Sequence, residues 1–220
     1  VKSVEIVEVN DVDNQAGTGR ETVGGRYIFH HMIWSTAQLD ENGDRIEDTV
    51  TSWPVHEVGR NPDLFDPDGG RLLRAGTYIY SDSVHLHSNG LDTTGHLEIG
   101  FRFHPKGYEP KYERAILGLG NGVDISIAGN QDGQELHAYR VLEEHTKIIT
   151  FEPHLHAPGE RMCLGAIWGY TVETLSCVGY DHNWVRGYAY EADAAPLLPK
   201  GTILHICLLY TSDAADDQAS

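Results

Sequence analysis

His96-Leu97-Glu98-Ile99-Gly100-Phe101-Arg102-Phe103 sets apolar side chains at every second position. That period puts Leu97, Ile99, Phe101 and Phe103 on one face of an extended chain, and it cannot form one stripe on a helix. Shorter runs of the same kind are Arg26-Tyr27-Ile28-Phe29 and Lys147-Ile148-Ile149-Thr150-Phe151. Glycine, proline, asparagine and aspartate punctuate the intervals between them. Short alternating runs divided by turn residues predict an all-β protein of the sandwich or jelly-roll kind. Helical content should be low, the only helix-like material being the acidic tail.

Just beyond the opening run, His104-Pro105-Lys106-Gly107-Tyr108-Glu109-Pro110 places two prolines and a glycine where no central strand could continue. A break there predicts two jelly-roll β-sandwich domains, 1–106 and 107–206. From Cys207 the chain reads Cys-Leu-Leu-Tyr-Thr-Ser-Asp-Ala-Ala-Asp-Asp, leaving the strand pattern and turning acidic and alanine-rich. Residues 207–220 resemble translated sequencing-adapter sequence and are read as a non-native tail. With Val1 in place of a starting methionine, the expectation is a chain cut at both ends.

The 220 residues carry a formal net charge of -17 and 40% hydrophobic side chains, enough apolar material for a real core. So acidic a chain argues against nucleic acid or anionic lipid as a partner. Asp40, Glu41, Asp44, Glu47 and Asp48 gather in what reads as a solvated loop. No apolar run approaches the ~20 residues of a membrane span.

Six of the 13 histidines fall in three short clusters, His30-His31, His85-Leu86-His87 and His154-Leu155-His156, each in a strand-like run. Alternate residues of a strand share a face, so His-x-His can aim two imidazoles at one point. Adjacent His30 and His31 could do so only through a bulge or a local twist. Imidazole donors suit zinc, copper, iron and nickel rather than calcium or magnesium. A transition-metal protein with more than one site is therefore expected.

Phe29-His30-His31-Met32 resembles the first copper motif of the type II, ascorbate-dependent copper monooxygenases, the family of peptidylglycine α-hydroxylating and dopamine β-monooxygenases. Leu86-His87-Ser88-Asn89-Gly90, followed by Asp92-Thr93-Thr94-Gly95-His96-Leu97-Glu98-Ile99, is similar to that family's strand carrying the third histidine. Pro153-His154-Leu155-His156, with Gly159 after it, resembles the His-x-His of the second copper site. Pro199-Lys200-Gly201-Thr202-Ile203-Leu204 is similar to a later strand entry. The motifs keep the family's order and cover about residues 26–206.

What the resemblance implies is a copper in each of two domains. His30, His31 and His87 would hold a copper that stores and passes an electron. His154 and His156 would hold the copper that binds dioxygen and hydroxylates a small organic or peptide-like substrate. Ascorbate or a similar external reductant is the implied co-substrate, and a secreted or periplasmic home is the implied location. His85, two positions before the better match, receives no ligand role. The family's second copper also takes a methionine from a strand beyond the end of this chain. Met162, directly after the His-x-His, reads as core packing.

Two other readings stand beside this one. A mononuclear iron or manganese cupin would use His154, His156, Glu160 and His205, but it leaves His30, His31 and His87 without a role. A non-catalytic copper-binding or electron-transfer module needs only the first cluster.

Cys163 and Cys177 are symmetric about Tyr170 in a hairpin-like segment, nearly opposite each other if the turn falls at Gly169-Tyr170. A cross-strand disulfide and two buried thiols are both compatible with that spacing, the first favouring an oxidising compartment. Asp181-His182-Asn183-Trp184 reads as a structural turn. His56, His137 and His145 read as surface or strand-edge residues, and Tyr170, Tyr180, Tyr188 and Tyr190 as sandwich aromatics.

Overall fold

The computed structural model describes residues 1–12, 27–60, 62–88, 90, 92–120, 126–129, 131–155, 159–181 and 185–210. These residues are almost entirely β, and a single 3-10 turn at Glu47–Thr49 is the only helical element among them. The chain is an all-β sandwich protein, as the alternating pattern predicts. It divides into two compact units, Val1–Ile116 and Leu117–Ser220. The Pro105–Pro110 stretch lies inside the first unit, where Tyr108 donates to the Pro67 carbonyl oxygen at 2.7 Å.

The first unit contains β1 (Ser3–Asn10), β2 (Phe29–Ala37), β3 (Thr51–Ser52), β4 (His56–Glu57), β5 (Asp63–Leu64), β6 (Gly69–Gly70), β7 (Tyr78–Leu86), β8 (Gly95–Arg102) and β9 (Tyr112–Glu113). One antiparallel sheet has the order β5-β1-β8, with β1 and β8 paired along their whole length from Ser3↔Arg102 to Asn10↔Gly95. A second is built on β2, with β7 on one side and the short strands β3 and β4 on the other. β6 and β9 form a small parallel pair.

Val4 from the first sheet meets Met32, Trp34, Trp53 and Phe65, and Ile6, Leu97, Ile99 and Phe101 close over them. Leu97, Ile99 and Phe101 are the shared face read from the opening run. Two indoles at the centre are polar as well as large, and burial is tolerable because each N–H has a partner. Trp34 Nε1 donates to the Pro54 carbonyl oxygen at 2.8 Å, and Trp53 Nε1 donates to Thr36 Oγ1 at 2.9 Å.

In the second unit are β10 (Gln134–Val141), β11 (Thr146–Lys147), β12 (Thr150–Phe151), β13 (Gly159–Trp168), β14 (Thr171–Gly179), β15 (Tyr188–Ala189), β16 (Leu197–Leu198) and β17 (Ile203–Tyr210). The main antiparallel sheet has the order β10-β17-β13-β14, and the pairs β11-β16 and β12-β15 accompany it. Its core collects Leu142, Phe151, Leu155, Met162, Leu164, Ala166, Leu198, Leu204, Ile206 and Tyr210. Met162 is thus a core residue, as its sequence context predicts. β17 runs past Cys207 to Tyr210 in the middle of this sheet, so the first four residues of the acidic tail segment complete a central strand.

β13 and β14 form the expected hairpin, with a two-residue turn at Gly169-Tyr170 where Gly169 takes φ +55°. A left-handed turn residue of this kind suits glycine. Cys163 and Cys177 are directly opposite, with Cα atoms 4.1 Å apart, and they are joined by a disulfide. Tyr170 differs from the sandwich-aromatic reading: at the tip of the turn its side chain is fully exposed. Tyr180 and Tyr190 do pack against the core.

Candidate metal centre

β2 carries the first histidine pair, and its ladder with β7 breaks at that pair. Phe29 is opposite Leu86 and His31 is opposite His85, so two steps on β2 answer one step on β7 and His30 is the extra residue. A bulge turns neighbouring side chains toward a common side, which a regular strand forbids. The local break that adjacent histidines require is therefore present at His30.

Around it the imidazoles come together in pairs. The His30 and His87 ring centroids are 4.5 Å apart, His31 and His85 are 4.1 Å apart, and His30 and His31 are 5.4 Å apart. Four histidines, not three, form the cluster. His85, left without a role by the sequence, is the direct cross-strand partner of His31. The signal for it was already in the chain, since His85 and His87 at a spacing of two share a strand face.

The strand entry is fixed from the other sheet. Glu8 of β1 accepts from the backbone N–H of Ile28 at 2.8 Å and of Phe29 at 3.1 Å, while His87 N–H donates to the Ile28 carbonyl oxygen at 2.8 Å. On the far side of β2, His31 is in register with Glu57 of β4, and both are buried. A carboxylate beside an imidazole favours a fixed tautomer and ring plane.

His56 differs from its surface or strand-edge reading in one respect. It does lie on the short strand β4, but opposite core residue Met32, and it is buried. Burial holds its ring below the ordinary histidine pKa, with Arg60 acting in the same direction and the carboxylates of Glu8 and Glu57 opposing.

In the second unit His154 precedes the buried Leu155, and its ring meets the Tyr180 ring edge-on at 6.4 Å. His156 lies outside the described residues, as do His182, Asn183 and Trp184. His205, which the cupin reading needs beside the His-x-His, points outward on β17. Its ring stacks on Tyr139 at 4.6 Å and contacts His137 at 2.9 Å between Nδ1 of His137 and Nε2 of His205. Leu204 and Ile206, on either side of it, enter the core.

The donor set of the first cluster, imidazoles at a partly buried strand bulge, is of the kind that binds zinc, copper, iron or nickel. Its rings are neighbours in pairs, and meeting at one ion calls for side-chain rotation. Among the described residues, the one trio of His, Cys, Asp or Glu whose ligating atoms all lie within 4.8 Å of one another is elsewhere, at Glu135, His137 and Cys207. No described helix is long and apolar enough to cross a membrane. No family model matches the chain, and no curated protein matches it.

Proposed function

We propose that the chain is the copper-binding part of a two-site, ascorbate-dependent monooxygenase acting on a small organic or peptide-like substrate. The observation that carries the reading is the bulge at His30, which gathers His30, His31, His85 and His87 on one side of a sheet. When bound, copper would supply one-electron transfer at this cluster and oxygen activation at a second site containing His154 and His156.

The chain's own residues prepare the first site. The Glu8 carboxylate pins the backbone of Ile28 and Phe29 immediately before the bulge, so His30 and His31 start from a fixed peptide plane. β7 presents His85 opposite His31, His87 follows directly after β7, and Glu57 is in register with His31 from β4. The disulfide between Cys163 and Cys177 suits the secreted or periplasmic location that the reading entails.

The test is copper content after anaerobic equilibration with Cu(I), with oxygen uptake under ascorbate as the second readout. The reading expects a tightly held copper that is lost in both His31→Ala and His87→Ala. Full copper in both variants would sink the first-site assignment. Copper that ascorbate reduces, without oxygen uptake, would favour the electron-transfer module. Bound iron or manganese in place of copper would favour the cupin.

A further inference from the structure

We propose that Glu57 is a positioning residue of the first site: acting through His31, its carboxylate favours the oxidised over the reduced copper ion held there. The inference rests on the copper reading of the His30, His31, His85 and His87 cluster and adds the residue that sets its redox balance.

The placement follows from register. His31 on β2 has two opposite partners, Glu57 on β4 and His85 on β7. Directly opposite residues of antiparallel strands share a face, so Glu57, His31 and His85 form one row over three strands. The central imidazole thus has a second imidazole on one side and a carboxylate on the other. Glu57 is 4% exposed and His31 9% exposed, so neither group sits in bulk water. Charges in such surroundings interact more strongly and are screened less by salt.

The backbone holds Glu57 beside the bulge. Val58 N–H donates to the His30 carbonyl oxygen at 3.0 Å, which ties the residue after Glu57 to the bulged residue itself. Arg60 N–H donates to the Glu57 carbonyl oxygen at 3.0 Å. The Arg60 guanidinium forks onto the Asp63 carboxylate at 2.8 and 3.1 Å, closing the turn that follows β4. A carboxylate next to a ligating histidine fixes the ring plane and tautomer and raises the basicity of the ligating nitrogen. Cu(II) carries one more positive charge than Cu(I), so a fixed carboxylate and a more basic imidazole both favour Cu(II). That balance suits a centre that passes an electron to the second site.

The test is the Cu(II)/Cu(I) potential of the first site in Glu57→Gln, which keeps the side-chain shape and removes the charge. It is measured by spectroelectrochemistry on the full chain, with His154→Ala emptying the second site, and both copper affinities are measured by chelator competition. The expected result is Cu(II) binding weakened at least about tenfold more than Cu(I) binding, a rise in potential of at least about 59 mV. Glu57→Asp, which keeps the charge and draws it back by one methylene, should fall between the parent and Glu57→Gln. Where Glu57→Gln does not fold, Glu57→Asp at the parent's potential overturns the role. An unchanged potential in Glu57→Gln, with both affinities unchanged or changed alike, overturns the role of Glu57 and leaves the copper reading standing. A parent chain with no copper at this cluster overturns both.

Discussion

His30 is the residue on which the first site turns, because the β2–β7 register shifts at it, from Phe29 opposite Leu86 to His31 opposite His85. Its neighbours divide the work: His31 pairs with His85, and His30 with His87. Replacing His85 by alanine should therefore weaken Cu(I) binding by about 10–100-fold, measured by competition with a chromogenic chelator, and an unchanged affinity would return His85 to a bystander. His56 gives a pH prediction of definite sign. Burial lowers its pKa in the folded state, so folding favours the neutral ring. The contribution is complete above the ordinary value near 6.5 and is lost as pH falls through the lower folded value. Melting temperature should fall between about pH 7 and pH 5, and His56→Gln should flatten that slope relative to the parent chain. In the core, Trp34→Phe would strand the Pro54 carbonyl oxygen that the indole N–H now satisfies. A loss of about 1–3 kcal/mol in urea unfolding is expected.

Elements add what single residues cannot. Register breaks at His30 in the first unit and at Leu164/Gly165 in the second bear directly on where functional side chains face. Removing residue 30 would close the register break between Phe29 and His31 and leave the one between Ile33 and Trp34 in place. The ΔHis30 chain should keep cooperative unfolding yet lose tight Cu(I) binding, whereas loss of folding would show that β2 itself needs the bulge. In the β13–β14 hairpin the register shifts by one between Leu164 and Gly165, opposite Ser176 and Thr174. Without that shift a Gly169-Tyr170 turn would set Cys163 against Ser176 and send Cys177 to the other face. The bulge thus makes the disulfide. Replacing both cysteines by alanine should lower stability by about 2–4 kcal/mol, read as an earlier urea midpoint.

At the scale of the whole molecule there are two cores, each assembled within its own unit. A ligand stabilises what it binds in the folded state, by mass action. Cu(I) should therefore raise the thermal transition of the unit containing His30, read by scanning calorimetry. A uniform shift of a single transition would mean that the two units unfold as one.

Alternation alone determined the class of this fold. Leu97, Ile99 and Phe101 had to share a face, and a face of that kind has to be buried against another sheet. The nearness of His30-His31 to His85 and His87, and of Cys163 to Cys177, was partly legible, because spacing in a strand maps onto sides of a sheet. What the sequence left open was whatever depends on register. A one-residue offset between strands is invisible in either strand read alone, yet it reverses every side chain beyond it. Hence His85 gained its place beside His31, and Cys163 met Cys177, only through bulges that tertiary pairing set. The same holds for His56, whose short edge strand is buried because Met32 and the first sheet lie on the face it shares. Glu135, His137 and Cys207 come from strands some seventy residues apart in sequence and meet only because β17 is inserted between β10 and β13.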